Sequence, residues 1–225
     1  MVCRIIQLLT DPCIMTYYVF SAVYTAAYAS VSREQPRVVM YSILRVLPLL
    51  YLIAYIAYSK AVLCVYAKYI CLGLFLTSLA EAAHVFDWDY FMHAVAIYSL
   101  AMCTYIAAMY CKYRGTRLSW LNIPLNVLCM LFLHFQVAGY LSPLILFFFG
   151  AFTAVMAFFA LSRFEKERTA PAYLGAAGAL LFQIYCFFYA LGTFAPSFVC
   201  VVAPEMVMAI FYLAQLGIGL SVHFC

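Results

Sequence analysis

With 225 residues, 69% of them hydrophobic and 9% charged, the chain departs far from a soluble domain, which carries roughly 45–50% apolar and about 25% charged residues. A water-soluble fold of this size lacks the polar groups to cover its surface, so the bilayer is its natural solvent. The net charge of +4 is small and scattered over short loops, which excludes a nucleic-acid-binding patch.

Taken in chain order at about 20 residues per crossing, the apolar runs predict a bundle of about eight transmembrane helices. They are Cys13–Val31, Val38–Tyr58, Tyr66–Phe86, Tyr90–Tyr110, Leu121–Val137, Tyr140–Leu161, Pro171–Phe194 and Val199–Val222. The runs lack the alternation of barrel strands, and backbone groups cannot go unpaired in lipid, so the expected fold is an all-α integral membrane bundle. The breaks are Ser32–Arg37, Asp87–Asp89, Cys111–Arg117, Arg163–Arg168 and Ala195–Ser197. None is long enough to isolate a soluble unit, so a single transmembrane domain over residues 1–225 is expected. The first apolar run is flanked by Asp11 and Pro12 and reads as a span, not as the core of a signal peptide.

Eight spans put Arg4, Lys60, Lys68, Lys112, Arg114, Arg117, Arg163, Lys166 and Arg168 on one side, and only Arg33 and Arg37 on the other. By the positive-inside rule, both termini are cytoplasmic. Ten cysteines, most inside apolar runs (Cys64, Cys71, Cys103, Cys129, Cys186, Cys200), show no CxxC and read as buried reduced thiols. Trp88, Tyr90 and Trp120 flank span ends as interfacial residues. Gly73 precedes Glu81 by eight residues and Gly178 precedes Cys186 by eight, an echo that allows a four-plus-four parallel repeat.

Ionisable groups inside spans are costly and mark function by default. Here they are Arg45, Glu81 and Glu205, with His84 one turn beyond Glu81. At 1.5 Å per residue, all three lie roughly 9–10 Å below the non-cytoplasmic surface, which predicts one shared polar cavity. Glu81-x-x-His84 is half of a di-iron pattern whose second copy is missing, so no metal site is expected. No HExxH, P-loop, GxGxxG or serine triad pattern is present.

Several ordered segments resemble the lysoplasmalogenase family of YhhN-like multi-pass membrane proteins. Gly73-Leu74-Phe75-Leu76-Thr77-Ser78-Leu79-Ala80-Glu81 resembles the family's "GLlfSliGD" helix, with Ala80-Glu81 for Gly-Asp. Phe91 to Tyr105 resembles "FllGlaaFllaHllY", with Ala94 for Gly and Met102 for His. Gly178 to Cys186 resembles "GallFviSD", with Tyr185-Cys186 for Ser-Asp, and Phe211-Tyr212-Leu213-Ala214-Gln215-Leu216 resembles "YYlAQlL". Arg45-Val46-Leu47-Pro48 and Met156…Ala160 fall where the family has a basic-Pro and an MxxxA stretch.

The resemblance implies an eight-helix endoplasmic reticulum membrane protein that hydrolyses the vinyl ether bond of lysoplasmalogens. The products are a fatty aldehyde and a glycerophospho-ethanolamine or -choline. Its partners are the lysophospholipid substrate and membrane lipids; no cofactor is implied, and nothing sets an oligomeric state. Vinyl ether hydrolysis needs a protonated acid and gains from a second carboxylate that stabilises an oxocarbenium-like cation or activates water. Glu81 is the candidate acid, Cys186 stands in the second acidic position, and Glu205 is the candidate replacement. Arg45, His84, Met102, Tyr105 and Gln215 are candidate substrate-binding residues. A neutral thiol cannot supply the second charge, so two readings stay open: a hydrolase, and a catalytically impaired relative that binds or senses lysolipid in the same cavity.

Overall fold

The structure, a computed structural model, describes residues 2–30, 38–59, 64–86, 91–110, 115–136, 141–194 and 203–222. These residues form nine α-helices and no strand: α1 (Val2–Leu9), α2 (Pro12–Ser30), α3 (Val38–Tyr58), α4 (Val65–Phe86), α5 (Phe91–Met109), α6 (Arg117–Gln136), α7 (Leu141–Glu167), α8 (Ala170–Phe194) and α9 (Pro204–Leu220). Helices α2 to α9 are the expected bundle. Among the described residues, Val65–Ala83, Arg117–Phe135, Phe147–Glu167 and Ala170–Gly192 are long and apolar enough to cross a membrane, and Ser42–Tyr58, His93–Met109 and Glu205–Leu220 are shorter apolar helices. The expected breaks at 32–37, 87–89 and 195–197, and the belt residues Trp88 and Tyr90, lie outside the described residues.

Several hydroxyl side chains inside these helices are satisfied by their own helix, as an apolar solvent favours. Ser21, Thr25, Ser78 and Ser99 each donate to the carbonyl four residues earlier, at 2.8–2.9 Å.

Four boundaries differ from expectation. Helix α1 precedes the first span and packs on α2 and α8. Helix α6 begins at Arg117, four residues before Leu121. Helix α7 runs through Arg163–Glu167, expected as a break, because Arg163 and Glu167 pair at 3.0 Å across one turn and the Leu118 amide donates to Glu165 at 3.2 Å. It stops where Arg168 turns left-handed (φ 49°), which lets α8 start two residues later. Helix α9 begins at Pro204, not Val199; proline suits the first helical position and keeps Ala203 extended (φ −61°, ψ 137°).

Helix α9 lies at the centre, against α2, α3, α4 and α8. The closest neighbours are α4 with α5 and α8 with α9, and a glycine explains each. A Cβ on Gly73 would collide with the Tyr105 ring, and one on Gly178 would meet Ile218 N at 2.6 Å and Ala214 O at 2.7 Å. The two glycines of the sequence echo thus do the same work in successive helix pairs. The core they close is aromatic, with Tyr17, Tyr24, Tyr105, Tyr212, Phe182 and Phe211 among its largest enclosed side chains. Helix α6 is peripheral and turns Leu121, Leu125, Leu128 and Phe135 outward, the face that lipid covers. Trp120, at its start, is exposed, as an interfacial residue should be. The cysteines do not fit the buried expectation: Cys3, Cys13 and Cys103 are exposed, and Cys186 is the buried one among the described residues.

Replacement of Gly178 by valine drives a side chain into the α9 backbone and is expected to cost at least about 1–3 kcal/mol. Gly192→Ala, which meets nothing within 4 Å, should change stability by less than about 0.5 kcal/mol. Unfolding of both variants in detergent checks the contrast.

Candidate functional site

Two charged side chains, Arg45 on α3 and Glu81 on α4, are buried among the described residues, and they meet. Arg45 Nε donates to Glu81 Oε2 in a direct ion pair. An isolated charge in this interior costs many kcal/mol, whereas a paired and hydrogen-bonded one is tolerated.

The other carboxylate oxygen, Oε1, accepts the Tyr185 hydroxyl of α8 at 3.4 Å. Tyr24, Tyr185 and Tyr212 lie within electrostatic reach of the Arg45 guanidinium, and Cys186 within reach of Glu81.

The backbone at Arg45 is part of the same cluster. Pro48 sits inside α3 and removes an amide donor, loosening the helix around the carbonyls four and three residues earlier. Tyr212 of α9 donates its hydroxyl to the Arg45 carbonyl at 2.9 Å. Tyr17 of α2 in turn donates to the Tyr212 carbonyl at 2.7 Å. These two bonds dock α3 onto α9, and α9 onto α2. One turn deeper along α9, Tyr105 donates to Gln215 Oε1 at 2.9 Å. With its proton so used, Tyr105 accepts from Thr77 at 3.2 Å. Gln215 Nε2 is buried without a partner among the described residues.

Of the sequence candidates, Arg45, Glu81, Cys186, Tyr105 and Gln215 share this interior. Met102 is fully enclosed one turn from Tyr105, and its thioether carries no proton to transfer. The side chain of His84 lies outside the described residues. Glu205 does not share the layer. It occupies the first turn of α9 and is half-buried, with no ion pair among the described residues. Phe211, whose ring lies 4.8 Å from that of Tyr185, marks the level of the pair on α9, and Glu205 is roughly 9 Å from it along the axis. The expected depth rested on a helix starting at Val199; the start at Pro204 puts Glu205 at the helix mouth, where free amides favour an acidic side chain.

At the expected cavity the pair itself is enclosed, with Glu81 0% exposed and the Arg45 side chain 9% exposed. A separate groove of about 690 Å³ lies between α4, α5 and α7, with Tyr69, Cys103, Ile106, Tyr110, Phe148 and Phe152 on its walls. It faces outward: Cys103 is exposed there, whereas Tyr105, two residues on, is enclosed. The residues the sequence reading missed are Tyr17, Tyr185 and Tyr212. Tyr212 falls on a tyrosine of the family's closing motif and Tyr185 adjoins its second acidic position, which were the available signals.

Arg45→Gln leaves Glu81 buried without its cation and should cost about 3–5 kcal/mol, as should Glu81→Gln for the stranded guanidinium. The double replacement should cost clearly less than the sum. A double-mutant cycle on unfolding measures this, and additive losses would contradict the pairing.

Against known proteins, the family model described as the YhhN family matches residues 38–222, a stretch that begins with α3 and holds every residue of the cluster except Tyr17 and Tyr24. No curated protein and no solved structure matches the chain. The span of that match, together with the enclosed acid on α4, settles the assignment: the chain belongs to the YhhN family, the family of lysoplasmalogenases.

Proposed function

We propose that the protein is a lysoplasmalogenase-like hydrolase that cleaves the vinyl ether of a lysoplasmalogen within the bundle. The observation that carries this reading is Glu81, a carboxyl group with no exposure, on the helix segment Gly73–Glu81 where the family resemblance puts its acid. Glu81 donates a proton to the outer vinyl carbon, leaving an oxocarbenium centre on the carbon bonded to oxygen. Water adds to that carbon and loses a proton. The resulting hemiacetal breaks its bond to the glycerol oxygen, which takes up a proton, releasing the aldehyde and the glycerophospho-base. Glycosidases pass through a similar oxocarbenium-like centre with two carboxyl groups, although their acid protonates the leaving oxygen and not a carbon.

Here the second position holds Cys186, buried and uncharged, while its neighbour Tyr185 touches Glu81. Tyr185 holds the acid in place, and the rings of Tyr185 and Phe211 offer electron-rich faces to a developing cation. The cysteine also favours a second reading, a relative that binds or senses lysolipid without cleaving it, because no described group replaces the missing carboxylate. The exposed basic residues Lys68, Arg117, Lys166 and Arg168 stand at the α4, α6, α7 and α8 ends that gather on one side. We place that side and both termini in the cytoplasm, and the protein in the endoplasmic reticulum membrane.

Purified protein incubated with a lysoplasmalogen should release aldehyde, and Glu81→Gln should reduce the rate by about 10²-fold or more. Lysolipid binding without aldehyde release from either form supports the sensor reading instead. Cys186→Asp restores the second carboxylate and should raise aldehyde release by about tenfold or more. An unchanged rate in an active protein shows that this chain does without that group.

A further inference from the structure

Arg45 uses only its Nε–H on Glu81. Of the five donors of a guanidinium, the terminal fork has no partner among the described residues. The accessibility of the pair also lies wholly on the Arg45 side chain, 9% against 0% for Glu81. What reaches this pair from outside therefore meets an arginine fork first, and a planar fork is matched to a phosphate or carboxylate.

The charge count adds a second constraint. Arg45 and Glu81 cancel, and among the described residues the other titratable groups facing them are Tyr24 on α2, Tyr185 and Cys186 on α8 and Tyr212 on α9, with Tyr105 on α5 one turn away. All of these are neutral near pH 7 at their ordinary values. An anion on the fork leaves the enclosed cluster one charge negative unless a proton enters, and among these described groups Glu81 is the one able to take it.

Resting on the hydrolase reading of this site, we propose that Arg45 anchors the phosphate of the lysolipid, and that the bound anion converts Glu81 from carboxylate to carboxylic acid. The proton comes from the medium, and no covalent bond other than O–H forms. The substrate thereby arms the acid that attacks its own vinyl ether, and a lipid without phosphate leaves the site unarmed. The glycerol backbone separates phosphate from vinyl ether by only a few bonds, which suits an acid and an anchor in direct contact.

The test uses the intact protein in maltoside micelles and a saturated ether ligand, a 1-O-alkyl-glycero-3-phosphocholine. This ligand has no vinyl carbon to protonate, and its phosphodiester does not titrate near neutrality. Calorimetric titration in two buffers of different ionisation enthalpy should show about one proton taken up per ligand bound. A 1-O-alkylglycerol of the same chain length should bind about tenfold or more weakly, with no uptake. Glycerophosphocholine without a chain separates a lipid site from a free-phosphate site: uptake at millimolar concentration assigns the site to phosphate alone. Glu81→Gln should still bind the ether phospholipid but take up no proton.

No uptake by wild type, equal affinity for the alkylglycerol, no binding of either ligand, or persistent uptake in Glu81→Gln each overturns the proposal. The two readings fail separately. Aldehyde release without proton uptake removes the anchor and keeps the hydrolase. Proton uptake in a protein inert toward lysoplasmalogen keeps the anchor and removes the hydrolase.

Discussion

The bundle is organised around one ion pair in a medium that penalises charge. Neither Arg45 nor Glu81 is tolerable alone at this depth, so α3 and α4 are held at a fixed rotation and height relative to each other. Three consequences follow from that registration. The second carboxylate oxygen is left for Tyr185, which brings in α8. The Arg45 carbonyl, one turn before Pro48, accepts the Tyr212 hydroxyl, which brings in α9. Tyr17 then closes on the Tyr212 carbonyl from α2. Tyrosine suits this role in lipid, since its ring packs as an apolar body and its hydroxyl reaches one stranded acceptor.

Much of this was legible in the sequence, for identifiable reasons. Long apolar runs admit only helices in a bilayer, so the spans could be counted, and the constant rise of a helix put Arg45 and Glu81 at one depth before any coordinates. The same counting failed for Glu205, because it depends on where a helix begins and an apolar run does not mark its own first turn; Pro204 does. It also failed for Arg163–Glu167, where charge was read as a break although the two residues pair within a helix that extends past its apolar stretch. The tyrosine partners were hidden by number. With 20 tyrosines in the chain, composition cannot single out Tyr17, Tyr185 and Tyr212 as residues whose hydroxyls bridge helices, since that depends on rotation about each axis.

The exchange of an acidic motif position for Cys186 gains a physical meaning beside the pair. One cation can neutralise one carboxylate. A second acid next to Glu81 would leave an unbalanced charge in a low-dielectric interior, while a thiol fills the position without one. On the proposed hydrolase reading the cost is chemical: no second carboxyl group stands here to steady a cation or activate water, and the described polar atoms nearby are phenol hydroxyls and an amide. On that reading the site has Glu81 and the Arg45 fork without the geometry of paired carboxylates.

The glycine contact between α8 and α9 carries a mechanical consequence. Where backbone meets backbone, as at Gly178 against Ala214, Gly217 and Ile218, there is no side-chain layer to slide or repack, so these two helices behave as one stiff plate. That plate bears Tyr185, Tyr212 and Gln215 together. The α3 side of the plate is joined differently, through a hydroxyl bridge from Tyr212 to the Arg45 carbonyl and not through fused backbones, so α3 can shift against the plate at the cost of a single hydrogen bond there.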